Sequence, residues 1–339
     1  MEIPRCGHRS CSGGAQKHLA SSDWSHLLVL YSFMGLEDFK RMRRPLEEHA
    51  TIHGTIGTAA DLFEKLKSFD GAKWAFRGQG KDWPLTATIE RYAIRPGVAE
   101  DFAMREFRRR AHHYSISVPE RDDDLEWLAL MQHHGAPTRL LDWTRSPQVA
   151  AFFAAQSSNS ANPFIRDPDK PLPSFVIWAV DTDSINEEAA GMLGLSEDTD
   201  LSSPDTFRNI FWRQPPGELY LAVAVQPHRM NERLTIQQGL FLCANRALFP
   251  FHNCLASVLN HASKRNRPSS QWLHKIAVAP ETRADVLRIL DKININSTTL
   301  FPGLDGFCQA LQITLQIQER DGWPGVAMAN DRESWVKGI

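Results

Sequence analysis

The sequence has no excess of charge of either sign. Its 339 residues include 38 lysines and arginines against 40 aspartates and glutamates, a formal net charge of −2. Domains dedicated to nucleic-acid binding are usually basic overall. The composition therefore does not favour that class, although it leaves room for a local basic groove.

Cysteine is scarce and unevenly placed. An odd, scattered set does not form a disulfide framework, and this set is Cys6, Cys11, Cys243, Cys254 and Cys308. Cys6, His8 and Cys11 are loosely spaced, and no second pair of metal-binding residues follows them. No metal site is expected.

Long hydrophobic runs are missing as well. The longest near the N-terminus, Leu27–Met34, falls well short of the roughly 20 apolar residues of a transmembrane helix. No small-residue cleavage site of a signal peptide follows it. We therefore predict a cytoplasmic protein without membrane contact.

Several common catalytic motifs are absent. The chain has no GxxxxGK[ST] phosphate loop, no GxSxG elbow, no HExxH and no GxGxxG after a strand. These absences exclude the usual P-loop nucleotidases, serine hydrolases and zinc proteases. A cluster of spaced carboxylates for nuclease metals is also missing.

What is present is the patterning of a globular protein, with 42% hydrophobic and 23% charged residues. Helical and strand-like segments predict an α+β fold: one domain with a mixed or antiparallel sheet packed against several helices. Residues 1–40 are predicted to be a disordered or atypical segment ahead of a domain at 41–339. Segment 183–217 reads as polar and irregular.

The first candidate functional segment is the FRGQ at the end of a predicted strand. Arg77 beside Gly78 would bring a guanidinium and a bare backbone to a ligand, and the fork suits phosphate or carboxylate. Gln79 would join them. The alternative is a buried arginine that pairs with a carboxylate and only stabilises the fold.

The second segment, QHHGAPTRLLDWT, is denser in polar groups. Such groups between apolar helices must find partners, so an Arg77–Asp142 or Arg139–Asp142 lattice stapling helices to the sheet is one interpretation. The other is a ligand pocket, in which His133 has the right ordinary pKa for a general base.

The third segment, RLTIQQGLF, places Gln237 and Gln238 on a predicted strand. Alternation sends their side chains to opposite faces, and we favour Gln238 as the one facing the pocket. A cavity beside Arg77, with Gln79, His133 and Gln238 pointing into it, would indicate a ligand site. A closed, buried Arg77–Asp142 ion pair would indicate that these residues only stabilise the packing of helices on the sheet, which we call the stapling interpretation.

Together these segments resemble the FRG-domain family, named for the Phe-Arg-Gly at Phe76–Gly78. The likeness includes WPLTATIERY, the long stretch WLALMQHHGAPTRLLDWTRSPQVAAFFA, NERLTIQQGLF and TTLFPGLDG, and it covers residues 70–318. His134 stands where an aromatic residue is usual, which argues against an essential role for it. The resemblance implies an FRG-type domain in a bacterial or phage protein, with anti-phage defence or a toxin system as its setting.

The order of these motifs also resembles that of ADP-ribosyltransferases. This resemblance implies NAD as candidate substrate, with Arg77 on a phosphate or ribose and Arg139 and Thr144 on the nicotinamide side. Those enzymes use a late glutamate, where this chain has glutamines. Because glutamine supplies no charge, the chemistry is either weaker or uses another acid such as Asp142.

Two functions therefore stay open. One is an NAD-dependent ADP-ribosyltransferase-like or NAD-hydrolysing enzyme with His133, Asp142 and Gln238 as catalytic candidates. The other is a non-catalytic module that recognises a nucleotide, a phosphorylated ligand or a phage component. A protein or nucleic-acid target is not specified by the sequence.

Overall fold

The computed structural model describes residues 46–92, 95–158, 172–212, 219–247 and 249–321. The predicted N-terminal segment at 1–40, with Cys6 and Cys11, lies outside these ranges. The seven strands of the described residues are β1 (Thr51–Ile56), β2 (Trp74–Gln79), β3 (Leu140–Thr144), β4 (Phe175–Asp181), β5 (Ala222–Val225), β6 (Gly239–Ala244) and β7 (Leu273–Val278).

Twelve α-helices connect and cover these strands within the same residues. They are α1 (Ala59–Lys67), α2 (Thr88–Tyr92), α3 (Pro96–Arg110), α4 (Asp124–His133), α5 (Pro147–Ser157), α6 (Thr182–Leu193), α7 (Pro204–Phe211), α8 (Glu232–Ile236), α9 (Phe251–Lys264), α10 (Arg283–Lys292), α11 (Ser297–Leu300) and α12 (Leu304–Asp321). Short 3-10 helices occupy Leu46–His49, Ala111–His113, Ser269–Gln271 and Pro280–Thr282. No described helix is long and apolar enough to cross a membrane.

The strands form one open sheet in the order β1-β7-β4-β2-β3-β6-β5. Only β1 and β7 run parallel, and every other neighbouring pair is antiparallel. The prediction of an α+β fold with a mixed sheet is therefore confirmed. β4 lies inside the sheet between β7 and β2, and every one of its residues is buried, as expected for a strand covered on both faces.

Helices cover both faces of the sheet, so two hydrophobic clusters form. On one face Trp178 of β4 packs with apolar residues of α4, α6, α7 and α9. On the other face Phe76 of β2 packs with residues of α1, α5 and α10. Alternation along β2 places Phe76 and Gly78 on one face and Arg77 and Gln79 on the other.

The helix starts follow the side-chain chemistry of the sequence. The Ser146 hydroxyl accepts a hydrogen bond from the Val149 amide at 3.3 Å and caps α5, with Pro147 in the first turn. The Asp123 carboxylate caps α4 through the Glu126 amide at 2.9 Å. These caps fix the two helices on either side of β3.

The sheet is weakly joined at one position, which we call the seam. β2 pairs with β4 over six residues, whereas it pairs with β3 only through Phe76 and Thr144. Beyond that pair the two strands separate. The seam divides the sheet into a part built from β1, β7, β4 and β2 and a part built from β3, β6 and β5.

Two expectations from the sequence are wrong. Segment 183–217 is not irregular, because α6 and α7 lie within its described part and bury apolar side chains on the sheet. Gln237 and Gln238 are not in a strand: Gln237 is the C-cap of α8 and Gln238 turns with φ 49°, so β6 begins only at Gly239. The amides of Gln237 and Gln238 donate to carbonyls of α8, those of Arg233 and Thr235, instead of to a neighbouring strand.

Gly78 has no side chain because α5 lies directly against β2. A Cβ at this position would lie 2.0 Å from the Ala150 carbonyl oxygen and 2.5 Å from the Ala154 amide nitrogen. Backbone atoms cannot move aside as a flexible side chain does. The glycine of the Phe-Arg-Gly motif therefore sets the distance between strand and helix.

We expect Gly78→Ala to destabilise the protein by about 3 kcal/mol or more, because overpacking against backbone forces α5 away from the sheet. Gly54→Ala on β1 is the control, since a Cβ there meets nothing within 4 Å, and it should change stability by less than about 1 kcal/mol. Urea unfolding measures both. Equal effects in the two variants would contradict the close-packing role.

Glu90 joins α2 to the start of α9. One oxygen of its carboxylate accepts hydrogen bonds from the Ala87 amide at 3.0 Å and the Phe251 amide at 3.1 Å. Burial raises the pKa of Glu90 to about 7, although both amides oppose the rise. The carboxyl thus keeps its proton in the folded state where the unfolded chain has lost it.

The folding free energy should therefore depend on Glu90 between its two pKa values. As the pH rises from about 4.5 to 7 only the unfolded state ionises, so stability falls by up to about 3 kcal/mol and stays low above pH 7. Glu90→Gln keeps an oxygen acceptor and cannot ionise. It should match the native protein at pH 4.5 and exceed it in urea unfolding at pH 8; an unchanged difference between these pH values would contradict the assignment.

Candidate functional site

A cavity of about 310 Å³ opens at the seam. Phe76, Arg77 and Gly78 of β2 all line it, as do the three consecutive residues at positions 142–144 of β3. Neighbouring residues of a strand point to opposite faces. Consecutive residues can therefore share one cavity only at a strand edge, which places this seam cavity where β3 leaves β2.

Arg77 bridges the gap between the two strands. Its Nη1 donates a hydrogen bond to the backbone carbonyl of Asp142, where a strand pair would have a main-chain donor. Its Nε is buried and has no hydrogen-bond partner within the described residues. A buried guanidinium nitrogen without a partner is costly, and an acceptor from a ligand would satisfy it.

Burial lowers the pKa of Arg77, the charge of Asp142 opposes this, and the charge of Arg91 adds to it. Arginine stays protonated at physiological pH in any case. Because the bond to Asp142 goes to the main chain, the guanidinium keeps its full positive charge. The closed Arg77–Asp142 side-chain pair of the stapling interpretation is not what the structure contains.

The Asp142 carboxylate is exposed and is oriented by Gln132. The Gln132 Nε2 donates to Asp142 Oδ2 at 3.0 Å, and its own amide oxygen accepts from Thr138 Oγ1 at 2.7 Å. Thr138 Oγ1 in turn accepts from the Leu140 amide at 3.2 Å. The motif between α4 and β3 therefore holds one carboxylate at the cavity through a chain of hydrogen bonds.

His133, the last residue of α4, lines the seam cavity and is half-buried. Burial lowers its pKa, and the neighbouring His134 and the charge of Arg233 lower it further. The imidazole is therefore neutral at pH 7 and can accept a proton or a hydrogen bond. His134 is exposed and does not line the cavity.

Arg139, a predicted ligand residue, lies elsewhere and is 4% exposed. Its Nε donates to Glu100, its amide donates to the same carboxylate at 2.6 Å, and its Nη1 donates to the carbonyls of Phe211 and Asn245 at 3.2 Å. Its guanidinium also lies over the Trp212 ring at 4.3 Å. This arginine staples α3 to the sheet, with Glu100 rather than Asp142 as its partner.

The remaining predicted residues are divided by the structure. Gln79 is buried away from the cavity and accepts a hydrogen bond from Trp178 Nε1 at 2.8 Å. Thr144 lines the cavity, where its hydroxyl donates to the Gln237 carbonyl at 2.6 Å. Gln238 is exposed and does not line the cavity, whereas Gln237 does. Gln237, and not the predicted Gln238, lines the cavity because the two residues form the turn after α8 rather than a strand.

Further lining residues were not singled out from the sequence. Trp143 lines the cavity, and its indole Nε1 is a second buried donor without a partner in the described residues. Arg233 of α8 contributes a second guanidinium, which lies 4.7 Å from the centre of the Phe301 ring. Trp143 belongs to the long motif, but the sequence analysis selected polar side chains, and a tryptophan on a strand is usually a core residue.

The charge of the lining favours an anion. Two arginines, Arg77 and Arg233, face one carboxylate, that of Asp142. Apolar walls come from Phe76, Phe153 and Phe241. In the residues that the structure describes, no group of three or more His, Cys, Asp or Glu side chains could hold a metal ion.

The family model of the FRG domain matches residues 72–163, so the chain contains an FRG domain. The matched segment contains β2, β3 and α4, which supply Arg77, Asp142 and His133. Strands outside it, β4 to β7 and β1, complete the same sheet. No curated protein and no solved structure matches the chain.

We expect Arg139 to contribute much more than Arg110 to the free energy of unfolding. Arg139→Met leaves Glu100 buried and unpaired and should cost about 3–5 kcal/mol, and adding Glu100→Leu should recover much of that loss. Arg110→Ala is the control, because its pair with Glu106 is exposed and should cost under about 1 kcal/mol. Urea unfolding of the four proteins tests this; a stable Arg139→Met protein would contradict the stapling role.

Proposed function

We propose that the seam cavity binds a nucleotide-type ligand, with NAD as the candidate. The observation that carries this proposal is the Arg77 guanidinium, whose buried Nε lacks a partner beside an open cavity. We also assign residues 41–339 to the FRG-type domain, since the sheet extends well beyond the matched segment.

Phosphate groups would lie against Arg77 and Arg233. A guanidinium donates from a planar fork that matches phosphate oxygens, and the cavity holds two such groups against one carboxylate. Arg77 is already fixed by its bond to the Asp142 carbonyl, so little side-chain entropy is lost when it binds.

A heteroaromatic ring would fill the apolar part of the cavity. Phe76, Phe153 and Trp143 line it, and the Trp143 indole donor lacks a partner. Gln237 lines it too. Its Nε2 donates to the Leu300 carbonyl at 3.0 Å, and its amide oxygen can accept from a carboxamide or a base edge. The volume is at the lower end of the roughly 300–1,000 Å³ of small-molecule sites, which suits a mononucleotide-sized portion of the ligand.

Cleavage of NAD at the nicotinamide–ribose bond is the reaction that the lining favours. Loss of neutral nicotinamide leaves positive charge on the ribose, which a carboxylate stabilises. Asp142 is the lining carboxylate, oriented by Gln132. His133, neutral because its pKa is lowered, would take the proton of the attacking water or acceptor.

The second candidate is recognition without turnover, in which the domain detects a nucleotide or phosphorylated ligand, for example during phage infection. The observation that favours it is the exposure of Asp142, because water weakens the field of a carboxylate. Gln237 lines the cavity and offers hydrogen bonding without charge. Both candidates share the arginine-lined cavity.

The test combines binding with turnover. With NAD at 100 times its dissociation constant, the purified chain should be stabilised by about 2.7 kcal/mol, measured as a rise in Tm, and it should release nicotinamide, measured by chromatography. Arg77→Ala should weaken binding about 10- to 100-fold, because a charge-assisted hydrogen-bonding group is lost. Arg233→Ala repeats the test at an exposed residue whose loss does not endanger folding.

Asp142→Asn separates the two candidates, since the amide keeps the Gln132 contact but removes the charge. Nicotinamide release that falls about 100-fold with unchanged binding supports the enzyme. Binding of NAD without release supports the recognition module. Arg95→Ala, an exposed arginine outside the cavity, should behave as the native protein; no Tm shift with NAD, ADP-ribose or AMP would overturn the proposal.

A further inference from the structure

A second concave surface, the basic groove, lies apart from the seam cavity. It encloses about 750 Å³ between the C-terminal half of α3, the start of α4 and the end of α7. Its charged lining consists of five arginines and two aspartates: Arg105, Arg108, Arg109, Arg121, Arg208, Asp122 and Asp124. The groove and the seam cavity have no lining residue in common.

Two of the five arginines serve the fold. Arg108 donates to Oδ1 of the buried Asp124 at 2.5 Å, and Arg208 donates to its Oδ2 at 2.8 Å. Arg208 also pairs with Asp122 at 3.0 Å. The two aspartates of the groove are thus both engaged by these arginines, which hold α3 and α7 to the start of α4.

The other three arginines are exposed, and neither aspartate of the groove lining pairs with them. Arg105 lies over the ring of Phe102 at 5.9 Å. Arg109 is exposed and pairs with Glu106, its neighbour on the same helix, at 3.0 Å, and water and salt weaken such surface pairs. Arg121 has no ion-pair partner within the described residues.

Exposed rings accompany these charges. Phe102 is 58% exposed and Tyr114 is 88% exposed. Phe102, Arg105 and Arg109 occupy positions i, i+3 and i+7 of α3 and therefore share one face. His112, two residues before Tyr114, lines the groove. Both rings therefore present open faces beside the exposed arginines.

Phe102 and Tyr114 border the groove rather than line it, because Arg105 lies over the Phe102 ring and Tyr114 follows the lining residue His112 by two positions. Exposed arginines with aromatic rings beside them are the arrangement that binds single-stranded nucleic acid. The guanidinium groups bind the phosphates, and the rings stack on successive bases. We infer that the basic groove binds single-stranded nucleic acid, with phosphates on Arg105, Arg109 and Arg121 and bases against Phe102 and Tyr114.

Two other polyanions fit less well. A duplex keeps its bases within its own stack, so Phe102 and Tyr114 would have no surface to cover. An acidic peptide would satisfy the arginines but not the rings. Because the chain as a whole has a net charge of −2, attraction of a polyanion requires this local concentration of positive charge. The inference does not depend on the function of the seam cavity.

The experiment is fluorescence anisotropy of the full chain with labelled oligothymidylate and oligouridylate of about 20 nucleotides, longer than the ~4–16-nucleotide footprint of such sites. The two probes show whether DNA or RNA is preferred. Arg105→Gln/Arg109→Gln/Arg121→Gln should weaken binding on the order of 10- to 100-fold. The slope of log K against log salt should drop by about 2, since each lost phosphate contact removes about 0.7.

Tyr114→Ala should weaken binding roughly 5-fold or more without changing the salt slope, because a stacking contact carries no charge. The matched control is Lys67→Gln/Lys264→Gln/Lys292→Gln, which removes the same charge from exposed positions outside the groove and should bind as the native chain does. All substituted residues are exposed, so the variants fold, as thermal unfolding will verify.

Three results would overturn the inference. The first is no binding at about 50 mM salt, where phosphate contacts are strongest. The second is an equal loss in the lysine control, which would indicate an effect of net charge alone. The third is equal competition by poly-glutamate or tighter binding of a duplex, which would show that the rings are not used.

Discussion

The guanidinium of Arg77 bridges two parts of a sheet whose strands meet through only one residue pair. β2 and β3 separate after Phe76 and Thr144, and the Arg77 side chain reaches across to the Asp142 carbonyl. This bond replaces the main-chain ladder with a side-chain bridge. It also leaves room between the strands, and the seam cavity is that room.

The Phe-Arg-Gly sequence can be explained residue by residue from this arrangement. Phe76 closes the last strand pair and packs under α5. Arg77 faces the opposite side and spans the gap. Gly78 lets α5 lie against the strand at a distance that no side chain would allow. One residue thus packs, the next bridges, and the third permits close approach.

Much of the fold was predictable because hydrophobic periodicity and caps are local signals. Ser146 followed by Pro147 is a local pattern typical of a helix start, and Ser146 caps α5. The six residues at 239–244 and the seven of β4 read directly as buried strands. Segment 183–217 misled because its polar residues hide two short amphipathic helices, and the strand reading of Gln237 failed because helix α8 is only five residues long.

The site was predictable in its members but not in their pairing. Arg77, His133 and Asp142 come together because β2 and β3 are neighbours in the sheet and α4 leads into β3. Arg139 is three residues from Asp142, yet its partner Glu100 lies 39 residues away in sequence. Which carboxylate an arginine takes depends on tertiary packing, and no local pattern encodes it. The second guanidinium, Arg233, was visible only as a motif residue for the same reason.

Helix α4 connects the two polar surfaces of the molecule. Asp124 at its first residue anchors the arginines of the basic groove, and His133 at its last residue lines the seam cavity. Ten residues of helix form a rod of about 15 Å, buried over most of its length. Because seven of its ten residues are buried, this helix fixes the spacing between the basic groove and the seam cavity.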